Sequence, residues 1–337
     1  MRTVSQRRYD FDKHHDGIKE IGVNVDQFMY GLEPFALLLF FGDLKAARTG
    51  FAKVNDAHRR VLQRVKQGVG AVDGYQYEIL LSLWDYSSSL LIAGELQNLR
   101  DFLGNSLAGA LVSDEAIGTS FKSALEENLF SWKTDEGYRA FGLDADMLII
   151  RSLMALLEQD TDASRSAIRE WLPSSAELLH VAEFATIYMA YLMGASHPAL
   201  LCSRLYGERL GNWNVTAEVM EGILRIEQFN PILRTEAHRL LGRAKAELGD
   251  SAAACEAAEF AMAEAAGAKY LWLEMLSLRD LLKWSDADKE AGVRARLHAV
   301  IGRMSASAEE LAALLGEGVL HDIPVPLTVT REVRERE

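Results

Sequence analysis

Proline is scarce in this chain, and its scarcity constrains the fold more than any other feature of the sequence. Only 6 of the 337 residues are proline, whereas average usage of roughly 5% predicts about three times as many. The prolines before residue 320 are Pro34, Pro173, Pro198 and Pro231. Because proline breaks helix interiors, long stretches without it favour α-helix. Apolar residues make up 49% of the chain, enough for a substantial core.

Apolar residues recur mostly at spacings of three and four, the pattern of amphipathic helices. In the segment 250–265, for example, Ala254, Ala258 and Ala261 fall on one stripe, and Asp250 has the position of an N-cap. The same pattern predicts helices over 26–41, 43–66, 75–92, 95–111, 115–130, 144–158, 162–172, 175–194, 197–209, 213–228, 231–248, 251–266, 269–284, 286–304 and 307–316. Only 323–330 has a strand-like composition, and its two prolines favour an extended tail.

Glycine followed by an acidic or amide residue separates several of these helices. The clearest examples are Gly42-Asp43, Gly94-Glu95, Gly211-Asn212 and Gly249-Asp250. Glycine takes the left-handed conformation that ends one helix, and the following side chain caps the next. So short a connection turns the chain back on itself. The sequence therefore predicts an all-α fold built from antiparallel helix hairpins.

The composition divides the chain into three segments. Residues 1–20 are predicted to be a flexible N-terminal segment, and residues 21–318 one continuous helical-repeat domain without a Gly/Ser- or Pro-rich linker. Residues 319–337 combine the extended stretch with a highly charged end, and we expect an extended, frayed C-terminal tail.

The segment 235–266 contains a helix pair with small residues at regular places. Leu241-Gly242 lies in the first helix, Gly249 ends it, and Ala254 and Ala261 lie in the second helix. This arrangement resembles a tetratricopeptide repeat, a helix pair of about 34 residues, with weaker matches elsewhere in the chain. The resemblance implies that the hairpins stack into a right-handed α-solenoid.

The same segment departs from the tetratricopeptide pattern where that family has large residues or proline. His238 and Lys245 replace aromatic residues of the first helix, Ala258 replaces one in the second, and Ala266-Gly267 stands in place of the closing proline. Small residues at helical spacing also occur in other helical proteins. A compact, irregular helical bundle is therefore the alternative arrangement.

The sequence motifs predict no catalytic, cofactor-binding or metal-binding residues. His14 and His15 are adjacent, so on a helix they would point about 100° apart rather than toward one metal ion. The glycines at 68–74 precede no Lys-Ser/Thr pair, as a phosphate-binding loop would require. The chain has neither an HExxH zinc motif nor a GxSxG nucleophile elbow.

Charge and apolar patterning argue against nucleic acid and membrane as partners. The formal net charge is −13, whereas affinity for phosphate backbones requires clustered Lys and Arg. The basic helix with Arg59, Arg60, Arg64 and Lys66 has no aromatic residue among these bases, and a solvated face explains it. The longest apolar run, 34–41, is far shorter than the roughly 18 residues that span a bilayer.

The two cysteines, Cys202 and Cys255, lie far apart in apolar helical contexts. This placement is typical of small buried thiols in a reducing compartment, so a cytoplasmic location is predicted.

Three arginines are candidate partner-binding residues because of the tetratricopeptide resemblance. Such stacks expose a concave surface lined by the first helix of each pair, and basic residues there hold peptide carboxylates. The resemblance thus implies that Arg239, Arg243 and Arg279 contact an acidic peptide. As the alternative, the arginines pair locally, Arg239 with Glu236 and Arg243 with Glu247.

These observations predict a protein–protein interaction scaffold or adaptor that binds another protein or peptide, without catalysis or cofactor. One alternative is a helical-repeat regulatory or sensory region of a larger signalling or transcription-regulating protein. A second alternative is a helical enzyme whose polar residues converge from distant helices.

Overall fold

The computed structural model describes most of the chain from residue 148 to residue 305 and shorter parts before it. The described residues are 39–44, 47, 59–60, 63, 66–67, 87, 90–91, 96–105, 110, 115–117, 148–189, 197–226, 231–305 and 309. The predicted flexible segment 1–20 and the predicted tail 319–337 lie outside them.

Every regular element in the described part of the chain is helical, which confirms the all-α prediction for those residues. The nine helices with defined bounds are α1 (Leu96–Asn105), α2 (Asp162–Trp171), α3 (Ser175–Met189), α4 (Pro198–Glu208), α5 (Trp213–Leu224), α6 (Pro231–Glu247), α7 (Ser251–Gly267), α8 (Leu271–Trp284) and α9 (Ala287–Ile301). Residues 148–157 are also helical.

Three of the four glycines predicted to end helices have left-handed backbone angles, and Gly94 lies outside the described residues. The φ angles of Gly42, Gly211 and Gly249 are 85°, 68° and 86°. After Gly249, the side chain of Asp250 accepts a hydrogen bond from the Ala253 amide at 3.0 Å, so the predicted N-cap of α7 is confirmed. Asn212 occupies the N-cap position of α5, but its side chain makes no capping hydrogen bond.

Successive helices pack side by side in opposite directions. Arg234 at the start of α6 forms an ion pair with Glu264 at the end of α7, at 2.7 Å. Arg296 near the end of α9 likewise pairs with Glu274 near the start of α8, at 2.9 Å. Each helix from α3 to α9 contacts the next, and further contacts join α3 with α5, α4 with α6, and α6 with α8. The α4–α5, α6–α7 and α8–α9 pairs are therefore neighbouring hairpins.

The α6–α7 hairpin is closely packed because its facing residues are small. Ala254, Ala258 and Ala261 of α7 are all fully buried, which confirms the predicted apolar stripe. A side-chain carbon added at Gly242 of α6 would lie 2.7 Å from the Trp284 ring and 3.1 Å from the Ala254 carbonyl oxygen. Gly242 thus lets three helices, α6, α7 and α8, meet at one place.

Residues 39–44 pack against the C-terminal end of the helical array, by which we mean helices α3 to α9. The carbonyl oxygen of Gly42 accepts a hydrogen bond from the Ser305 amide at 3.0 Å. Phe40 and Phe41 contact the Tyr270 ring, with centroids 6.0 Å and 5.4 Å away. Phe40 is fully buried. An early part of the chain therefore lies on the α7–α8 turn and on the residues that follow α9.

Candidate functional site

The first helices of the three neighbouring hairpins carry two groups of ion pairs, one between α4 and α6 and one between α6 and α8. We call the surface they form the first-helix face; it consists of the polar side chains of α4, α6 and α8 that pair with one another. Its members are Arg204, Glu208, Glu236, Arg239, Arg243 and Asp280.

Helix α4 begins with a buried capping interaction that depends on an uncharged histidine. His197 precedes Pro198, and its Nδ1 accepts a hydrogen bond from the Ala199 amide at 3.2 Å. Burial lowers the pKa of His197 from 6.5 to about 3, so the imidazole is neutral at neutral pH. A protonated Nδ1 could not accept this hydrogen bond. The cap therefore helps to fix α4, the helix that supplies Arg204 and Glu208.

Arg239 joins two first helices through two carboxylates. Its Nη1 donates to Glu236 Oε1 at 2.6 Å within α6, and its Nε donates to Asp280 Oδ2 of α8 at 2.7 Å. Glu236 is 3% exposed, and the other two side chains are largely buried. Burial alone would lower the pKa of Arg239, but the charges and hydrogen bonds of Asp280 and Glu236 raise it overall. The group stays charged and links α6 to α8.

Arg243, one helical turn further along α6, is the more accessible arginine. Its Nη1 donates to Glu208 Oε1 of α4 at 2.7 Å, and its side chain remains 47% exposed. Its guanidinium lies over the Trp213 ring, 5.2 Å from the centroid, in the range of a cation–π interaction. Arg204 Nε approaches the same Glu208 oxygen at 3.5 Å. Two arginines thus approach a single carboxylate, and one of them also lies over an aromatic ring.

A glycine makes room for the aromatic ring in this arrangement. Any side chain at Gly207 of α4 would overlap the ring of Trp213. Without one, the ring of Trp213 packs directly against α4 and supports Arg243 from α6. The small residue at the end of α4 therefore contributes to the position of an arginine on another helix.

The three arginines predicted to contact a partner differ in their surroundings. Arg239 pairs with Glu236, as the local alternative predicted, and also with Asp280. Arg243 pairs with Glu208, so the expected local pairing of Arg243 with Glu247 is wrong. Arg279 is 8% exposed. Of the three, only Arg243 presents much of its side chain to solvent.

Sequence reasoning missed the residues that complete these groups, because they come from neighbouring hairpins. Glu208 lies 35 residues before Arg243, and Asp280 lies 41 residues after Arg239. Both separations are close to the number of residues between equivalent positions of neighbouring hairpins, which we call one hairpin period. A search for opposite charges one hairpin period apart could have found both pairs.

A second group of polar and aromatic side chains lies where α6 contacts α7. The His238 ring stacks on Phe260 with centroids 5.4 Å apart, one turn from the Arg234–Glu264 ion pair. Phe260 is 52% exposed. Burial, assisted by the charge of Arg234, lowers the pKa of His238 to about 4. His238 thus stacks on Phe260 in the manner of an aromatic residue.

The described ranges contain no group of three or more His, Cys, Asp or Glu side chains placed to hold a metal ion. Within the same residues, no helix has the length and apolar character needed to cross a membrane.

Comparison with known proteins returned no match among protein-family models, curated proteins or solved structures.

Proposed function

We propose that this protein is an interaction scaffold or adaptor that binds another polypeptide on the first-helix face. In this proposal the hairpins α4–α5, α6–α7 and α8–α9 belong to a right-handed, tetratricopeptide-like α-solenoid. Two features support that arrangement: the alternating direction of the helices and the contacts of α6 with both α4 and α8. First helices that contact one another across hairpins line a shared surface, the place where helical repeats bind their partners.

The observation that carries the proposal is the exposed guanidinium of Arg243 between Glu208 and Trp213. A half-exposed arginine on an aromatic ring offers a planar set of donors that is already oriented. Arg204 adds a second positive charge beside the same carboxylate. An acidic side chain of a partner would therefore meet two guanidinium groups that share one internal acid. Arginine and tryptophan are also the residue types that dominate binding energy at protein interfaces.

Arg239 and Arg279 take secondary places in the proposed surface. A partner carboxylate would have to displace Asp280 or Glu236 to reach Arg239, and Arg279 is 8% exposed. We therefore assign direct contact to Arg243 and a supporting position beneath the surface to the other two arginines.

The test is capture of partner proteins from an extract by the full chain, with Arg243→Gln compared with wild type. The matched control is Arg294→Gln on α9, because Arg294 is also partly exposed and pairs with one acid, Glu290. We expect Arg243→Gln to lose captured proteins that Arg294→Gln retains. An identical set of captured proteins for wild type and Arg243→Gln would overturn the assignment of the binding surface.

A further inference from the structure

Residues 39–44 pack so closely against the C-terminal end of the helical array that there is no room for a side chain at Gly42. A side-chain carbon at Gly42 would lie 2.9 Å from Met304 Cγ and 3.3 Å from Leu271 Cδ1. Gly42 also has a φ of 85°, a conformation that residues with a side chain rarely adopt. Sterics and backbone geometry therefore both require glycine here.

Burial on both sides of this contact shows that it closes an apolar surface. Leu39, Phe40 and Leu44 are at most 1% exposed, and Leu271 and Met304 are 7% and 2% exposed. The Tyr270 ring contacts the rings of both Phe40 and Phe41. The backbone hydrogen bond from the Ser305 amide to the Gly42 carbonyl oxygen then fixes the register. Without residues 39–44, the first turn of α8 and the residues after α9 would expose apolar side chains to water.

Helix α8, whose first turn contacts residues 39–44, also carries a residue of the first-helix face. Leu271, whose side chain lies beside Gly42, is the first residue of α8, and Asp280 belongs to the same helix. Asp280 is the residue through which α8 engages Arg239. Because an α-helix moves nearly as a rigid body, a displacement of its first turn shifts Asp280 relative to α6.

We propose that residues 39–44 form a latch that holds α8 against α6 and thereby keeps Arg239 paired with Asp280. Opening the latch loosens α8 and α9, and Arg239 loses one of its two carboxylates. Arg239 then becomes available to an acidic group of a partner, a step that rests on the proposed function. The latch is thus a conformational control on the first-helix face.

Hydrogen exchange of the full chain tests the latch without any partner. The variant is Gly42→Ala, and the matched control is Gly211→Ala, because Gly211 also has a positive φ but no atom lies within 4 Å of the added carbon. We expect amides of α8 and α9 in Gly42→Ala to exchange at least about tenfold faster than in wild type, with α4 and α5 unchanged. Gly211→Ala is expected to leave α8 and α9 unchanged.

Two results would overturn the latch: unchanged exchange in α8 and α9 of folded Gly42→Ala, or equal acceleration in all helices. If Gly42→Ala does not fold, Phe41→Ala replaces it, because Phe41 is 47% exposed and still contacts Tyr270. The same local acceleration, of smaller size, is then expected. Because exchange is measured on the free protein, it can support the latch even where the Arg243→Gln capture test fails.

A short polyglutamate peptide tests the link to Arg239. The latch variant is expected to bind this peptide several-fold more tightly than wild type, by loss of the competing Asp280 carboxylate. Unchanged affinity in a variant whose α8 and α9 exchange faster would overturn the link to Arg239 while leaving the latch itself supported.

Discussion

Arg239 of α6 and Asp280 of α8, 41 residues apart in the chain, form a hydrogen-bonded ion pair at 2.7 Å. The pair joins the first helices of two hairpins, and both side chains are mostly withdrawn from water. Glu236, which shares the same guanidinium, is 3% exposed. The three groups consequently depend on one another, and removing different members has different effects.

Arg239→Ala should destabilise the protein more than Asp280→Asn. The first change leaves buried Glu236 without its cation, which is expected to lower the free energy of unfolding by about 3–5 kcal/mol. The second keeps the Arg239–Glu236 pair and should lower it by about 1–2 kcal/mol. Urea unfolding measures both. As a control, Arg294→Ala removes the 39% exposed arginine of an ion pair on α9 and should change stability by less than about 0.5 kcal/mol. If Arg239→Ala and Asp280→Asn lowered the free energy of unfolding equally, the arrangement of Arg239 with Glu236 and Asp280 would be contradicted.

The free energy of unfolding should decrease as the pH is lowered, because of His197. Its pKa is about 3 in the folded protein against an ordinary value of 6.5. Below about pH 6.5 the unfolded chain therefore binds a proton that the folded protein does not bind until near pH 3, and this stabilisation is lost as pH decreases through that range. Through this one group, the free energy of unfolding should change by at most about 1.4 kcal/mol per pH unit.

His197→Asn tests this pH dependence, because asparagine also accepts at an N-cap but does not titrate. The free energy of unfolding of the variant, measured in urea at several pH values between 6.5 and 5, should fall less steeply than that of wild type. Thr161→Asn, which exchanges one N-cap residue that does not titrate for another at the start of α2, should keep the wild-type slope. Parallel curves for wild type and His197→Asn would disprove the role of the cap.

Lys269 should be replaceable by glycine with a gain in stability. Its φ is 62°, and it ends α7 with a hydrogen bond from the Tyr270 amide to the Ala265 carbonyl. Gly249 ends α6 in the same way, with the Asp250 amide donating to the Lys245 carbonyl. Lys269→Gly is expected to raise the free energy of unfolding by about 1 kcal/mol, and Gly249→Ala to lower it by a similar amount.

Thermal or urea unfolding of these two variants gives the comparison directly. Both sites are exposed, so a packing change does not obscure the backbone effect. A loss of stability in Lys269→Gly would indicate that the lysine side chain, rather than the backbone conformation, determines stability at this turn.

Gly242→Ala and Gly292→Ala should have opposite effects although both place alanine in a helix. At Gly242 the added carbon meets the Trp284 ring and the Ala254 carbonyl, and a loss of about 1–3 kcal/mol is expected. At Gly292 no atom lies within 4 Å, and the higher helix propensity of alanine should add about 0.5–1 kcal/mol. Equilibrium unfolding of the two variants measures the difference. Similar values would show that the α6–α7 contact is looser than these distances imply.

The bounds of three helices in the second half of the chain could be predicted from the sequence because they depend on neighbouring residues, whereas the helix predicted over 213–228 ends at Leu224. The predicted ranges 162–172, 231–248 and 251–266 correspond to observed helices 162–171, 231–247 and 251–267. Each ends at a glycine, proline or capping residue whose effect is local. The buried alanine stripe of α7 followed from spacing alone for the same reason.

Pairing between side chains could not be predicted in the same way. Glu208 and Asp280 reach the arginines of α6 only because α4 and α8 lie on its two sides. The packing of residues 39–44 against Tyr270 and Ser305 has no local signal at all. Single-sequence patterns specify which residues of a helix are buried, but they leave open which distant segment buries them.

The hydrogen bond between Ser305 and Gly42 has a consequence for the order of folding. During synthesis Gly42 leaves the ribosome long before Ser305, so its binding site does not yet exist when residues 39–44 emerge. The hairpins between them can form from local contacts as they appear. The buried contact around Gly42 can close only after α9 has been made. Synthesis as far as Ser305, rather than the formation of any single hairpin, therefore sets the earliest moment at which the described part of the chain reaches its final structure.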